Sequence, residues 1–389
     1  MVPLNNLTIS EIQLGDSRLR DFVKFQWQLH KKDPCWTPPL NGDLLGNHLL
    51  GLKGLLTTKH PYHRHADVTH FMVWQGKQPL GRISAAINKQ YNKYYESSVG
   101  FFGFLEVVND YEIARTLLDS ARRWIAERGM AVMRGPGEYS NATHERQGVL
   151  IDGFNYPPTV ELTHTPPYYA QFLERYGFQK AKDYVAYLFD RNNYNVSLLR
   201  RLAQKVSKNL NIETRALVRE NLKAEVRLIL QVYNEAWAEN WGFLPISAEE
   251  GDVLADSLRF IIDPGLVRFA FVNGETAAVM GVIPDPNYGL RPRWRWYGES
   301  DLVRFIRLFL VRKRIHRARA MFFGIKPRFR YLGIPALLAH EVADYFLLRH
   351  YQECDASLIL EDNEPIIKII NLFGGKYYKR WRIYDLPLK

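Results

Sequence analysis

The chain has 389 residues, 47% of them apolar and 24% charged, which fits a folded protein large enough for two cores and excludes a disordered or fibrous chain. No apolar run reaches the length of a membrane span, and the start, Met1-Val2-Pro3-Leu4-Asn5-Asn6, lacks the basic and apolar regions of a secretion signal. Cys35 and Cys354 lie far apart and outside any zinc-type spacing, so a reducing cytoplasm is the expected compartment and no metal is expected. The formal charge of +11 leaves nucleic acid, an anionic membrane surface or an acidic cofactor as partners.

From the N-terminus, 7–12 reads as a strand and 17–31 as a helix. Strands over 68–74 and 80–87 form a hairpin turned at Gln75-Gly76. The run 99–108 is a further strand on which Glu106 alternates with apolar neighbours. Glu106 there is either a buried base with a raised pKa or a structural carboxylate paired with a basic residue. Asn109-Asp110 caps a helix over 111–127, and 131–133 is the next strand. Residues 135–167 follow as a long polar loop without obvious elements of its own, holding Glu138, Tyr139, Asn141, His144, Asp152, Glu161 and His164. Such loops are often functional. Glu138 and Asn141 are candidates for contacting a polar acceptor, and His144 is either a candidate base or a surface histidine. A helix over 168–175, closed at Tyr176-Gly177-Phe178, and a strand over 184–189 end this half.

The second half repeats the order. A strand over 212–215 leads into a long amphipathic helix over 222–241, and Ser247-Ala248-Glu249-Glu250 starts another. Strands over 267–272 and 277–283 are joined by Asn273-Gly274, the strongest short hairpin signal. The segment 301–319 carries seven Arg or Lys residues among apolar ones at helical spacing. It reads either as a helix that buries Leu302, Phe305, Ile306 and Phe309 under a solvated basic face, or as a docking surface for RNA or anionic lipid. Residues 320–323 form a strand, 324–335 a basic glycine-containing turn, and 336–343 a helix start. That combination is a ready anion site, because N–H groups at a helix start lack partners and the dipole favours negative charge. A strand over 354–360, a helix start at Glu361-Asp362-Asn363-Glu364-Pro365, Gly374-Gly375 and an aromatic strand over 376–384 complete the chain.

The turn Arg330-Tyr331-Leu332-Gly333-Ile334-Pro335 resembles the acyl-CoA pyrophosphate loop of the GNAT acetyltransferase superfamily, and Asn363 followed by the short helix and glycines resembles its closing segment. The element order of both halves is similar to this family. The resemblance implies an α/β fold with mixed sheets, built as two tandem GNAT-like units, 1–191 and 192–389. It implies an acyl-CoA, such as acetyl-CoA, as co-substrate in the second unit, contacted by Ile325, Arg328, Arg330, Tyr331, Leu332, Gly333, Ile334 and Asn363. The first unit has Asp110 and Glu112 where the loop would be, and these would repel a pyrophosphate. An amine acceptor, small molecule or peptide, would meet Glu138, Asn141, Asn240 and Trp241. The family's usual proton-donating tyrosine falls at Ile370 and Leu173, neither of which can donate. Tyr377, Glu106 and His144 remain as catalytic candidates. Two other readings stand beside N-acyl transfer: aminoacyl transfer from tRNA gripped by the basic helix, and a non-catalytic CoA- or metabolite-binding protein.

Overall fold

The computed structural model describes residues 7–139, 146–207, 211–293 and 299–388, so Asn141 and His144 lie outside the described residues. In chain order the first half gives β1 (Leu7–Ile12), α1 (Leu19–Leu29), α2 (Asn41–Leu45), β2 (Ala66–Gln75), β3 (Gln78–Asn88), α3 (Lys89–Tyr94), β4 (Val99–Val107), α4 (Tyr111–Ala126), β5 (Val132–Gly137), β6 (Val149–Asp152), α5 (Tyr168–Tyr176) and β7 (Gln179–Asp190). The second gives α6 (Val196–Val206), β8 (Ile212–Ala216), α7 (Leu222–Ala236), α8 (Ala248–Leu258), β9 (Val267–Val272), β10 (Glu275–Pro284), α9 (Asn287–Leu290), α10 (Asp301–Val311), β11 (Arg317–Ile325), α11 (Ile334–Leu348), β12 (Glu353–Leu360), α12 (Glu364–Leu372) and β13 (Lys376–Pro387).

These elements form two compact units. One comprises Met1–Asp183, Leu290–Ile306 and Lys379–Lys389; the other comprises Tyr184–Gly289 and Arg307–Tyr378. Each has the same sheet logic. In the first, β1, β2, β3 and β4 pair antiparallel, β4 pairs β5 in parallel, and β13 pairs β5 antiparallel. In the second, β8, β9, β10 and β11 pair antiparallel, β11 pairs β12 in parallel, and β7 pairs β12 antiparallel. A parallel pair needs a crossover, and α4 and α11 supply it.

Local chemistry explains the elements. Asp110 accepts from the Glu112 N–H at the start of α4, at 3.0 Å. Ser247 and Glu250 form a capping box on α8. Asn273 and Gly274 both take positive φ, 50° and 80°, as the two-residue hairpin turn requires. The first core packs α4, through Ile113, Leu117, Leu118, Ala121 and Ile125, on β3 and β4, and is closed by Tyr384 and Leu386 of β13. The second packs Val226, Ile229 and Leu230 of α7 against Phe269, Val279 and Phe322.

Two expectations need correction. The segment 135–167 is not without structure: β6 pairs antiparallel with β13, Leu150 opposite Trp381. The four residues of β6 are too few to give a periodicity signal. The second concerns α10, whose faces are inverted. Arg304 is fully buried, whereas Leu302, Ile306 and Phe309 are exposed and Phe305 is only half-buried. Burial of an arginine is tolerated where every donor finds a carbonyl, and here Arg304 donates to the carbonyls of Leu290, Pro38 and Pro39 at 2.9, 2.6 and 3.0 Å.

Candidate active site

In the second unit the ladder of β11 with β10 continues to Ile325, while its parallel ladder with β12 runs only from Arg317 to Ala320. The two parallel strands therefore part beyond Ala320, just before the turn that leads to α11. That turn is a 3-10 segment, Pro327–Leu332, ended by Gly333 at φ +74°. No side chain caps the start of the 15-residue helix α11; its Ala336 N–H bonds to the Gly333 carbonyl at 3.0 Å, and the positive end of the helix dipole there favours an anion. Pro335 occupies the first turn, where it removes one donor without disturbing the helix.

The cations of the turn are held by carboxylates. Buried Lys326 pairs with Glu235 at 2.9 Å and Glu275 at 3.2 Å. Arg328 pairs with Glu275, and Arg330 lies 3.9 Å from the exposed Glu239. Arg330 also donates to the Ala236 carbonyl at the end of α7. Tyr331 is 98% exposed and Leu332 is partly exposed. Ile334 is buried in an apolar cluster with Ala278 and Leu338, against which Ile325 packs. Those two isoleucines shape the turn from inside. Asn363 caps α12, accepting from the Ile366 N–H at 3.4 Å.

The link after α7 lies against this region. The Trp237 indole donates to the Phe323 carbonyl, in the part of β11 that has left β12, at 3.0 Å. Asn240 closes a turn with Trp237 and Phe243, and Trp241 meets Tyr184 edge-on at 6.4 Å. Arg330 and the Asn240–Trp241 link, far apart in sequence, thus share the end of α7. Tyr377 on β13 is 42% exposed and sits edge-on to Tyr187. Its neighbour Tyr378 is buried and accepts from Arg317 at 3.2 Å. Burial, then the Asp355 carboxylate, pushes the Tyr378 hydroxyl well up. Ile370 is buried and offers no proton.

The first unit is built differently at the matching place. The Tyr169 hydroxyl takes the Val107 N–H at 2.9 Å and donates to Glu106 at 2.7 Å, and Tyr168 donates to the Val107 carbonyl at 2.8 Å. Two tyrosines of α5 thus occupy the edge of β4 beyond its pairing with β5. Asp110 caps α4 with its own carboxylate, where α11 has none. Glu106 also meets His30 at 2.8 Å. Burial alone would raise the Glu106 carboxyl, but His30, then the Arg82 guanidinium and Tyr169 outweigh it and hold it below the ordinary value. Glu106 is therefore a paired carboxylate rather than a base with a raised pKa. Glu138, also buried, pairs with Arg146 at 3.2 Å; burial pushes its carboxyl up.

His30, Arg82 and Tyr169 carry no local signal of function in the sequence. The same is true of the convergence of Asp33, Cys35 and His164, whose ligand-type atoms lie within 4.8 Å of one another. His164 pairs with Asp33 at 3.1 Å, beside a cleft of about 250 Å³ lined also by Phe154 and Pro167. Cys35 and His164 stand 129 positions apart in the sequence, so spacing along the chain could not reveal this meeting.

No protein-family model matches the chain. It is 29% identical over 383 residues to the bacterial ceramide synthase of Caulobacter vibrioides, covering 96% of this chain and 95% of that one. It is 26% identical over 384 residues to Protein YghO of Escherichia coli, covering 96% and 93%. Among solved structures it resembles a tandem GNAT protein from the clavulanic acid biosynthesis pathway, with TM-score 0.57, 13% identity and coverage of 98% of this chain and 99% of that one. It also resembles a GCN5-related N-acetyltransferase from Sphaerobacter thermophilus, with TM-score 0.51, 12% identity and coverage of 99% and 96%. The chain has the tandem GNAT fold.

Proposed function

We propose that the protein transfers an acyl group from an acyl-CoA to an amine, with the donor on the turn between β11 and α11 of the second unit. One observation carries this reading: β11 leaves β12 at Ala320 and runs into a basic turn at the uncapped start of a long helix. A parting of two parallel strands offers backbone to an extended pantetheine arm, and a helix start offers the positive end of its dipole to a pyrophosphate. Arg328 and Arg330, held on exposed carboxylates, can exchange those partners for phosphate because such surface pairs are worth little. The site needs no covalent help from the protein. It holds the thioester beside the amine; as the C–N bond forms and the C–S bond breaks, the nitrogen gives up one proton to water and the departing thiolate takes one from water, since Ile370 cannot give one. The relative named a bacterial ceramide synthase supports a lipid amine as acceptor and a long acyl chain on the donor. Acyl-CoA as donor places the protein with the cytoplasmic CoA pool.

Calorimetric titration with acetyl-CoA and a long-chain acyl-CoA tests the reading. Arg330→Glu puts a negative charge beside the expected phosphates and should weaken binding about tenfold or more. Asp110→Ala, at the matching helix of the first unit, should leave the affinity unchanged. Binding lost on the Asp110 change and kept on the Arg330 change would move the donor site to the first unit. Binding of acyl-CoA with no transfer to any amine would support the non-catalytic reading.

A further inference from the structure

We infer that α10 is an interfacial helix that docks the protein on an anionic phospholipid surface. Leu302, Val303, Ile306, Phe309 and Leu310 are 49–74% exposed. They fall at i, i+1, i+4, i+7 and i+8, one continuous stripe on one side of the helix. Contiguous exposed apolar side chains of this size mark an interaction site. The opposite side explains why the stripe points outward. The Asp301 carboxylate accepts from the Asn41 and Gly42 N–H groups at 3.0 and 2.7 Å. Arg304 is sunk among three carbonyls, Arg307 donates to the Gly289 carbonyl, and Leu308 is buried. The polar side chains thus anchor the helix, and the apolar ones are left over.

Charge selects the occupant. Exposed Arg312, Lys313 and Arg314 follow directly on the stripe, and Arg312 lies 4.0 Å from the centre of the Phe309 ring. The one acid of the helix, Asp301, is turned inward. An apolar stripe ending in exposed cations matches the boundary between acyl chains and anionic headgroups. A second copy of the chain would bring no acid from its own α10 to meet these cations. RNA would leave four aliphatic side chains without stacking partners. Eleven residues span about 16 Å, too short to cross a bilayer, so the helix lies in the plane of the surface.

Co-sedimentation with vesicles tests this, and its outcome is separate from CoA binding. The protein should pellet with phosphatidylglycerol–phosphatidylcholine vesicles and not with phosphatidylcholine alone, and added salt should weaken the binding. Phe309→Ser with Leu310→Ser should lower the affinity about tenfold or more, with unchanged thermal unfolding because both side chains are exposed. Arg312→Gln, Lys313→Gln and Arg314→Gln together should lower it by a similar factor and remove the salt dependence. The inference is overturned if the wild type stays in solution with anionic vesicles, or if neither variant changes binding. It is also overturned if the stripe proves to join two copies, seen as a dimer that the Phe309–Leu310 variant dissociates, or if the cations bind RNA and not vesicles.

Discussion

At the scale of single residues, the buried histidines set the response to acid. His70 is fully buried between the Ile12 carbonyl, 3.1 Å from Nδ1, and the Tyr139 hydroxyl, 2.7 Å from Nε2. Burial pushes it down to about 4, and His60 is likewise pushed down to about 4 by burial and by His63. An unfolded histidine titrates near 6.5, so between these values the unfolded chain binds the protons that the folded chain refuses. The stabilisation is complete above about pH 6.5 and is lost as pH falls toward 4, with a slope of up to about 1.4 kcal/mol per pH unit for each histidine. Asp33, whose carboxyl His164 and the Cys35 N–H hold down at about 2 against the effect of burial, adds its own loss only in the lower range, from about 4 to 2. Urea unfolding followed from neutral pH to about pH 5 should show this early loss, and His70→Gln should make the slope shallower. Stability that rises between neutral pH and 5 would refute the assignment. The sequence places Glu106 correctly on a strand but not beside His30, 76 positions earlier. Pairing across that distance depends on how α1 packs, which alternation along one strand cannot express.

At the scale of elements, caps and turns were legible because their chemistry is local. Asp110, the Ser247–Glu250 box and Asn273-Gly274 each act within four residues, and each stands where the sequence puts it. The α10 helix was legible as a helix and its orientation was not. Spacing gives the two faces, and only the carbonyls of Pro38, Pro39 and Leu290 decide that the Arg304 face turns inward. Gly333 shows a second limit. The sequence shows it as a glycine in a basic turn and says nothing of what surrounds it. In the structure it has φ +74°, and a Cβ there would sit 2.6 Å from a methyl of Val206 on α6. Gly333→Ala should therefore destabilise the protein by about 1–2 kcal/mol. Adding Val206→Ala should recover the steric part and leave the backbone part. Chemical denaturation of the single and double variants checks this. An alanine at 333 with unchanged stability would mean that the turn relaxes freely, and it would weaken the case for a rigid, preformed donor site.

At the scale of the whole chain, two similar halves are visible in the sequence as a repeated order of strands and helices, but the partner of each half's last strand is not. β7 ends the first half and its residues from Tyr184 to Asp190 pair with β12. β13 ends the second half and pairs with β5 and β6, Trp381 opposite Leu150 and Tyr384 opposite Gly135. Either strand satisfies the same apolar pattern, so periodicity cannot assign it. The consequence is specific, because β13 carries Trp381, Ile383 and Tyr384, all fully buried, and Tyr384 closes the first core. It also supplies two bidentate ion pairs: Arg382 meets buried Asp183 at 2.8 and 3.0 Å, and Asp385 meets Arg134 at 2.7 Å on both arms. Removing one partner of a buried pair costs about 3–5 kcal/mol, and losing the three aromatic and aliphatic side chains costs about 2–5 kcal/mol each. Those losses together match or exceed the stability of an ordinary domain, about 5–15 kcal/mol. A fragment of residues 1–191 should therefore lack a cooperative unfolding transition, although it contains every helix of the first half. A synthetic peptide of residues 376–389, added during refolding, should restore it. Calorimetry reads the transition directly. A sharp melt of the 1–191 fragment without the peptide would show that the first half closes its core with its own β7, and that the exchange of strands is not needed for folding.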